Sequence, residues 1–377
     1  MGDAGNEMRK ILGLVLALVS IPGIPARAAA SPDAPCVESA CLSVAEFRYT
    51  QSHANLLHQV NIFSDDPEVL KDPRRPQPQN GDGKVYAPIG LITTDNPVPL
   101  NARGTSTGKT QATAFLVSPC FIMTNYHAVF GSQNTALADL DMGRYRTTFK
   151  VSGRETHAVV TVAGERKLGR DRDYAFLKLD SCLGADSAIG WLRLGSLSPD
   201  GDGPKVSVAG YPGDKDGNVL WIHENCHLDE RRNSSFLRLT NCANTRGASG
   251  SPIVSREDGG IRVVGIISAE VNRTDRILPT YEEYRANIAV DVFGILRENP
   301  IIARTIAADI LKHYEGNIPA SDTTLVKICE GKNLGYSEID ACTDAINRLS
   351  SKVMEATTRD HVLGDNELRE MWISAKH

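Results

Sequence analysis

The chain has 377 residues, 41% of them hydrophobic and 23% charged, and a formal net charge of −5. That length buries one large core with extensions or two modest domains, and apolar and charged fractions ordinary for a globular protein argue against disorder as the default. The charge is mild and the basic residues are scattered, so there is no electrostatic footprint for nucleic acid.

The N-terminus carries a targeting pattern. Arg9-Lys10 precede an apolar stretch from Ile11 to Ile24, and the small residues Ala26, Ala28, Ala29 and Ala30 follow. A basic start, an apolar middle and an Ala-x-Ala context predict a signal peptide over residues 1–30, cleaved after Ala28 or Ala30. Met8 is an alternative start. The apolar stretch contains Pro22 and is shorter than the roughly 20 residues that span a bilayer. No later stretch is long enough for a membrane helix. The expectation is a secreted or periplasmic protein with no stable membrane insertion after cleavage.

The eight cysteines fit an exported chain. None forms Cys-x-x-Cys and no histidine pair accompanies them at zinc spacing, so neither a metal nor another cofactor is expected. Near neighbours suggest the bridges Cys36–Cys41, Cys226–Cys242 and Cys329–Cys342, leaving Cys120 and Cys182 to join strands. Eight cysteines allow 105 pairings, and spacing alone does not choose among them.

After the signal, residues 31–85 read as an N-terminal extension or propeptide. Ser43-Val44-Ala45-Glu46 is a capping box ahead of a helical pattern, with Val44, Phe47, Ala54, Leu57 and Val60 as apolar positions. Asp65 to Lys84, rich in Pro, Asp, Gln and Gly, reads as a linker or exposed loop. From about Tyr86 the pattern becomes short β-like runs broken by turns: 89–93, 112–117, 121–124, 159–162, 175–179, 206–209, 236–239, 263–267 and 287–292. Many short strands with Gly- and Pro-rich turns predict an all-β barrel or sandwich. The β signal stops near residue 296. Asn299-Pro300 starts a helix with Ile302, Ile306 and Ile310 on one face and Gly316 as its stop. A second helix runs from about Ser337 with Ile339, Cys342, Ile346, Leu349 and Val353 in register. A third starts near Asp365. Residues 297–377 thus read as a small helical extension.

Three motifs carry the chemistry. Gly247-Ala248-Ser249-Gly250-Ser251-Pro252 sets a serine between two glycines, which lets a substrate carbonyl approach the backbone. Thr124-Asn125-Tyr126-His127 puts a histidine just past the apolar run Phe121-Ile122-Met123. Asp173 heads the alternating run Tyr174-Ala175-Phe176-Leu177-Lys178-Leu179, and the nearby Asp171 does not fit the Asp-x-Ala-x-Leu pattern. Each motif alone has an ordinary structural reading. Together, in the order His, Asp, Ser, they are the parts of an activated serine nucleophile.

On these motifs and on Val264-Gly265-Ile266-Ile267-Ser268 after the serine, the chain from about Tyr86 to Gly294 resembles the trypsin-like, chymotrypsin-fold serine proteases. It looks most like their bacterial secreted branch, which includes the glutamyl endopeptidases. The resemblance implies two six-stranded antiparallel β-barrels within a protease domain at 86–296, flanked by the helical extensions. It implies a triad of His127, Asp173 and Ser249, with the backbone N–H groups of Gly247 and Ser249 as the oxyanion hole. The partner would be a protein or peptide substrate.

Departures from the family pattern narrow this. Animal members have, just before the serine, an aspartate that pairs with a new N-terminus on activation; here Ala248 stands there, so that switch is chemically impossible. A propeptide would act differently, for example by 31–84 covering the cleft. By motif, the primary pocket has its floor at Ala243 and Asn244 and its wall at Ile267, Ser268, Ala269 and Glu270. Trypsin-type members have aspartate where Ala243 stands. Glutamyl endopeptidases have threonine at the Asn244 slot and histidine at the Ile267 slot. A small or medium uncharged side chain is the expected preference, with a basic one second through Glu270.

Other features do not compete. Gly104-Thr105-Ser106-Thr107-Gly108-Lys109-Thr110 is one residue short of a phosphate-binding loop and precedes a strand. His53 and His58 are badly spaced to share a helical face. The remaining alternatives are a catalytically silent binding module on the same fold and, more weakly, an esterase, whose serine would sit in Gly-x-Ser-x-Gly.

Overall fold

The computed structural model describes residues 60–63, 71–77, 85–95, 109–131, 145–164, 172–196, 205–229, 237–257, 260–270, 277–278, 286–314, 329 and 336–362. The expected signal peptide, the pair Cys36–Cys41, most of the 43–60 helix and the helix near Asp365 lie outside them.

The first half closes into a barrel. Its strands are β3 (Ile89–Asp95), β4 (Lys109–Ser118), β5 (Phe121–Thr124), β6 (Arg146–Val151), β7 (Arg154–Ala163) and β8 (Ala175–Leu179), paired in the ring β3-β4-β5-β8-β7-β6. A short helix, α1 (Tyr126–Phe130), follows β5. Alternation does the work in β6, where Thr147, Phe149 and Val151 are buried between exposed or half-buried neighbours. Ile92, Phe115, Ile122, Phe149 and Phe176 fill the interior, all fully buried. The β6–β7 connection is a two-residue turn, with Ser152 at φ 47° and Gly153 at φ 77°. Positive φ at both positions gives the turn the twist that matches a hairpin.

The second half contains β9 (Arg193–Leu194), β10 (Lys205–Gly210), β11 (Trp221–His227), β12 (Leu237–Thr240), β13 (Asn244–Thr245), β14 (Pro252–Glu257), β15 (Gly260–Glu270), β16 (Ile277–Leu278) and β17 (Asn287–Asp291). Its eight-stranded sheet runs β12-β17-β15-β14-β10-β11-β2, where β2 is Arg75–Pro76, with β9 joining β15 in parallel. The fold is therefore mostly β with one closed six-stranded barrel and a second sheet. Among the described residues, closure into a ring is found only in the first half, and the pairing is not wholly antiparallel.

The N-terminal segment is woven into the second half. β1 (Val60–Phe63) pairs antiparallel with β13 and parallel with β16. Val60, expected as the last apolar position of a helix, begins a strand instead. Two waiting strand partners outweigh a 3.6-residue pattern that ends there. The linker reading of 65–84 also needs correction at Arg74, which is 8% exposed. Besides β1, the strands β2, β6, β9, β11, β13, β14 and β16 escaped the sequence reading. β11 reads Trp-Ile-His-Glu-Asn-Cys-His, whose polar side chains break a simple apolar run.

Three helices close the chain: α2 (Val292–Glu298), α3 (Pro300–Tyr314) and α4 (Tyr336–Val362). Asp291 caps α2 by accepting from the Phe293 amide at 3.2 Å. Ile302, Ile306 and Ile310 of α3 and Ile339, Cys342, Ile346 and Leu349 of α4 are buried as expected, in one core with the barrel. Asp309 of α3 accepts from Ser118 Oγ at 2.7 Å and from the Cys120 amide at 2.8 Å, which seats the helix on the β4–β5 turn. Disulfides join Cys120–Cys182, Cys226–Cys242 and Cys329–Cys342. Among the described residues no helix is long and apolar enough to cross a membrane.

The edge strand β2 brings Arg74 between Asp72 and Asp214, with Lys215 on Asp72 at 2.9 Å. Burial alone would raise the Asp72 carboxyl. The hydrogen bonds and charge of Arg74, with Lys215, outweigh it and hold the pKa at about 2. Asp214 is lowered in the same contest. A carboxyl depressed in the folded state stabilises it above the ordinary carboxylate pKa, and that contribution disappears as pH falls toward the folded value. Denaturation midpoints should therefore drop between about pH 4 and pH 2. In Asp72→Asn, followed by urea titration at each pH, that drop should be shallower.

Candidate active site

Asp173 is 2% exposed and stands just before β8. Antiparallel pairing of β5 with β8 sets Thr124 opposite Ala175, so the residues after β5 and before β8 meet at one barrel end. Asn125 Nδ2 donates to the Asp173 carbonyl at 2.8 Å and fixes the two segments together. The chain then turns into α1, which carries His127. Its backbone amide donates to Asp173 Oδ1 at 3.0 Å, and its Nδ1 lies 2.7 Å from Asp173 Oδ2. An ionised carboxylate only accepts, so the proton of this bond sits on Nδ1 and Nε2 of the neutral ring is left as the basic nitrogen.

A third donor comes from the other sheet. Ser268 Oγ donates to Asp173 Oδ2 at 2.5 Å. The register of β15 on β17 slips between Ile267 and Ala269, so a bulge at Ser268 turns its hydroxyl out of the sheet's alternation. Ser268, expected by motif on the pocket wall, turns its side chain to Asp173.

The serine loop is held by its carbonyls. Thr113 of β4 donates its amide to the Ser249 carbonyl at 2.9 Å and its hydroxyl to the Gly247 carbonyl at 3.0 Å. Thr113 is itself fixed, since Thr124 Oγ1 donates to its carbonyl at 2.7 Å and the Tyr211 amide donates to its hydroxyl at 2.9 Å. Two further carbonyls of the loop are turned back: Arg246 accepts from the Gly213 amide at 2.5 Å and Ala248 from the Ser251 amide at 2.9 Å. A trans peptide is planar with its N–H opposite its C=O. The N–H groups of Gly247 and Ser249 consequently face away from those partners. Gly247, at φ 90°, makes the turn, and Ala248 N–H closes it on the Thr245 carbonyl at 2.9 Å. Ser249 is half-buried.

The pocket candidates Ala243, Asn244, Ile267 and Ala269 are buried. Ala243 is 3% and Asn244 1% exposed; the Ala243 amide donates to Nδ1 of His223, a buried histidine of β11 that the motifs did not reveal. Ile267 is fully buried beside Cys226 and Cys242, and its amide donates to the Ser251 carbonyl at 2.9 Å. The Glu270 backbone lies opposite Asn287. Sequence reasoning also missed Thr113, Thr124, Gly213 and Arg74, which act through hydrogen bonds far apart in sequence.

Residues 112–266 match the family model described as the trypsin-like peptidase domain. The chain carries a trypsin-like peptidase domain. No curated protein sequence matches it. Among solved structures, a Glu endopeptidase is similar at 16% identity, covering 61% of this chain and 93% of its own, with a TM-score of 0.42. The thermostable serine protease AL20 from an extremophilic microorganism is similar at 15% identity over 55% and 92%, with a TM-score of 0.40. The active form of the Rv3671c protease from M. tuberculosis is similar at 16% identity over 66% and 89%, with a TM-score of 0.39.

Within the peptidase domain, Gly250 has little freedom to change. Its φ is 85°, and an added Cβ would fall 2.0 Å from the Thr113 carbonyl oxygen and 2.3 Å from Thr124 Oγ1. Gly250→Ala should destabilise the fold by more than about 2 kcal/mol, read from thermal or urea unfolding.

Proposed function

We propose that this protein is an exported serine endopeptidase, with Ser249 as nucleophile, His127 as general base and acid, and Asp173 as the group that orients His127. The observation that carries the reading is the Asp173 carboxylate, which binds both the amide and Nδ1 of His127. A base oriented by a buried acid, with a glycine-flanked serine loop tied to the same barrel through Thr113 and Thr124, is the arrangement that activates a hydroxyl.

In this mechanism His127 Nε2 takes the Ser249 proton as Oγ attacks the scissile carbonyl. The tetrahedral oxyanion is received by the N–H groups of Gly247 and Ser249, which the captured carbonyls of Arg246 and Ala248 leave turned outward. His127 then protonates the leaving amine, and an acyl-enzyme remains on Ser249. Water attacks it with His127 acting again as base, and the acid product leaves. Asp173 keeps Nδ1 protonated and stabilises the imidazolium. Export is supported by the signal-like N-terminus and by three disulfides. Ala243 and Asn244, small and uncharged, favour a small or medium uncharged side chain before the cleaved bond, with a basic side chain at Glu270 the second choice.

Fluorophosphonate labelling of the full, oxidised chain tests the reading. Wild type should label, and Ser249→Ala should not. Absence of label on folded wild-type protein overturns the proposal. Asp173→Asn should keep the fold and lower kcat by about 10⁴. Ser268→Ala, which removes one hydrogen bond to a charged group, should lower kcat by roughly tenfold with KM little changed. Cleavage of a peptide library then reads the pocket preference.

A further inference from the structure

We propose that Arg74, outside the family-matched stretch, is a positioning residue for the oxyanion-binding amide of Gly247, acting through Asp214, Gly213 and Arg246. The inference rests on the serine-peptidase reading of Ser249.

The Arg74 side chain is 4% exposed and meets two carboxylates at once. Nε and Nη2 donate to Asp72 at 3.0 and 2.8 Å, and Nη1 and Nη2 donate to Asp214 at 2.9 and 2.5 Å. Such two-point bonds hold the orientation of the carboxylate as well as its position. Thr245 completes the cluster, its hydroxyl donating to Asp214 Oδ1 at 2.8 Å with Arg74 Nη1 at 3.5 Å from it.

The two residues so joined flank one backbone bond. Gly213, immediately before Asp214, donates its amide to the carbonyl of Arg246, immediately after Thr245, at 2.5 Å. That bond sets which way the Arg246–Gly247 peptide faces. With the Arg246 carbonyl held by Gly213, the Gly247 N–H points to the opposite side. Rotating the peptide would lose that bond and put a carbonyl where an oxyanion is to bind. Contact at this place is backbone to backbone: an added Cβ on Gly247 would lie 2.6 Å from the Tyr211 carbonyl oxygen and 3.0 Å from the Gly213 nitrogen.

Stability alone is a weak reason for the cluster. A buried ion pair is often replaceable by apolar side chains at little loss, because desolvation offsets the attraction. What an apolar group does not supply is a directional hold on both Asp214 and Thr245. β1 reaches the same place, pairing with Asn244 and Thr245, so two N-terminal elements converge on the residues that lead into the serine loop.

The test uses the full-length oxidised protein and diisopropyl fluorophosphate. In that reaction Ser249 Oγ bonds to phosphorus, fluoride leaves and His127 accepts the proton. Loss of fold lowers the fraction of protein finally labelled, whereas a misplaced oxyanion amide lowers the rate and leaves the endpoint complete. Arg74→Met should label to the full endpoint at a rate about ten- to a hundredfold lower, less than the loss of a whole oxyanion donor. Arg74→Lys should recover part of the rate. Arg75→Ala, which breaks the exposed pair with Glu224 on the neighbouring strand β11, should label as wild type. If Arg74→Met unfolds, Asp214→Asn gives the same reading from the loop side. A wild-type rate in folded Arg74→Met or Asp214→Asn overturns the inference, as does a lowered endpoint at unchanged rate in both. Failure of wild type to label at all instead sinks the serine-peptidase reading.

Discussion

A single buried carboxylate sets the terms for the site. Asp173 is almost fully removed from water, where an unpaired charge is costly, so its oxygens must be filled by donors. The donors come from two directions. His127 supplies a backbone and a ring N–H from α1, and Ser268 supplies a hydroxyl from β15. The barrel and the second sheet are thereby matched at one atom group. The same bonds that compensate the charge choose the tautomer of His127, so the stability of the junction and the chemistry of the site have one cause.

The serine loop follows a different rule. Its residues are small, and little side-chain packing can hold them. Backbone carbonyls are captured instead, at Gly247 and Ser249 by Thr113, at Arg246 by Gly213 and at Ala248 by Ser251. Each captured carbonyl fixes the direction of the following N–H. The glycines belong to this scheme because the loop passes within van der Waals distance of neighbouring backbone, which leaves no room for Cβ at Gly247 or Gly250.

These two rules explain what was legible from sequence. The motifs around His127, Asp173 and Ser249 stand out in sequence because each sets a particular residue type beside a particular local pattern, and the fold brings His127 Nδ1 to 2.7 Å from Asp173 Oδ2. The helices α3 and α4 were readable because Ile302, Ile306 and Ile310, and Ile339, Ile346 and Leu349, keep a helical period that packing did not override, whereas α2 was not expected. The bond from Ser268 to Asp173 was not legible, since a bulge that re-aims one hydroxyl leaves no mark on a two-residue period. Arg74 was hidden altogether. It lies in a Pro- and Asp-rich stretch that looks like a solvated loop, and its burial depends on Asp214, 140 residues further along. Val60 failed for the related reason that its strand partners, β13 and β16, lie far along the chain.

The C-terminal helices are tied to the same chemistry through the residues on either side of Asp173. Arg172 Nε bonds to Glu298 at the end of α2, and the Tyr174 hydroxyl donates to the same carboxylate at 3.5 Å while accepting from Asn299 Nδ2. The α2–α3 junction therefore grips the chain on both flanks of the acid. α3 then reaches across to the β4–β5 turn, where Asp309 satisfies Ser118 and Cys120, the residues just ahead of the strand that leads to His127. The approach to the histidine and the approach to the aspartate are both braced by one helical arm. A tail that merely covered exposed apolar surface would need only its isoleucines. This one spends buried and half-buried polar groups, each aimed at the two segments whose separation the Asp173–His127 bond requires to stay fixed.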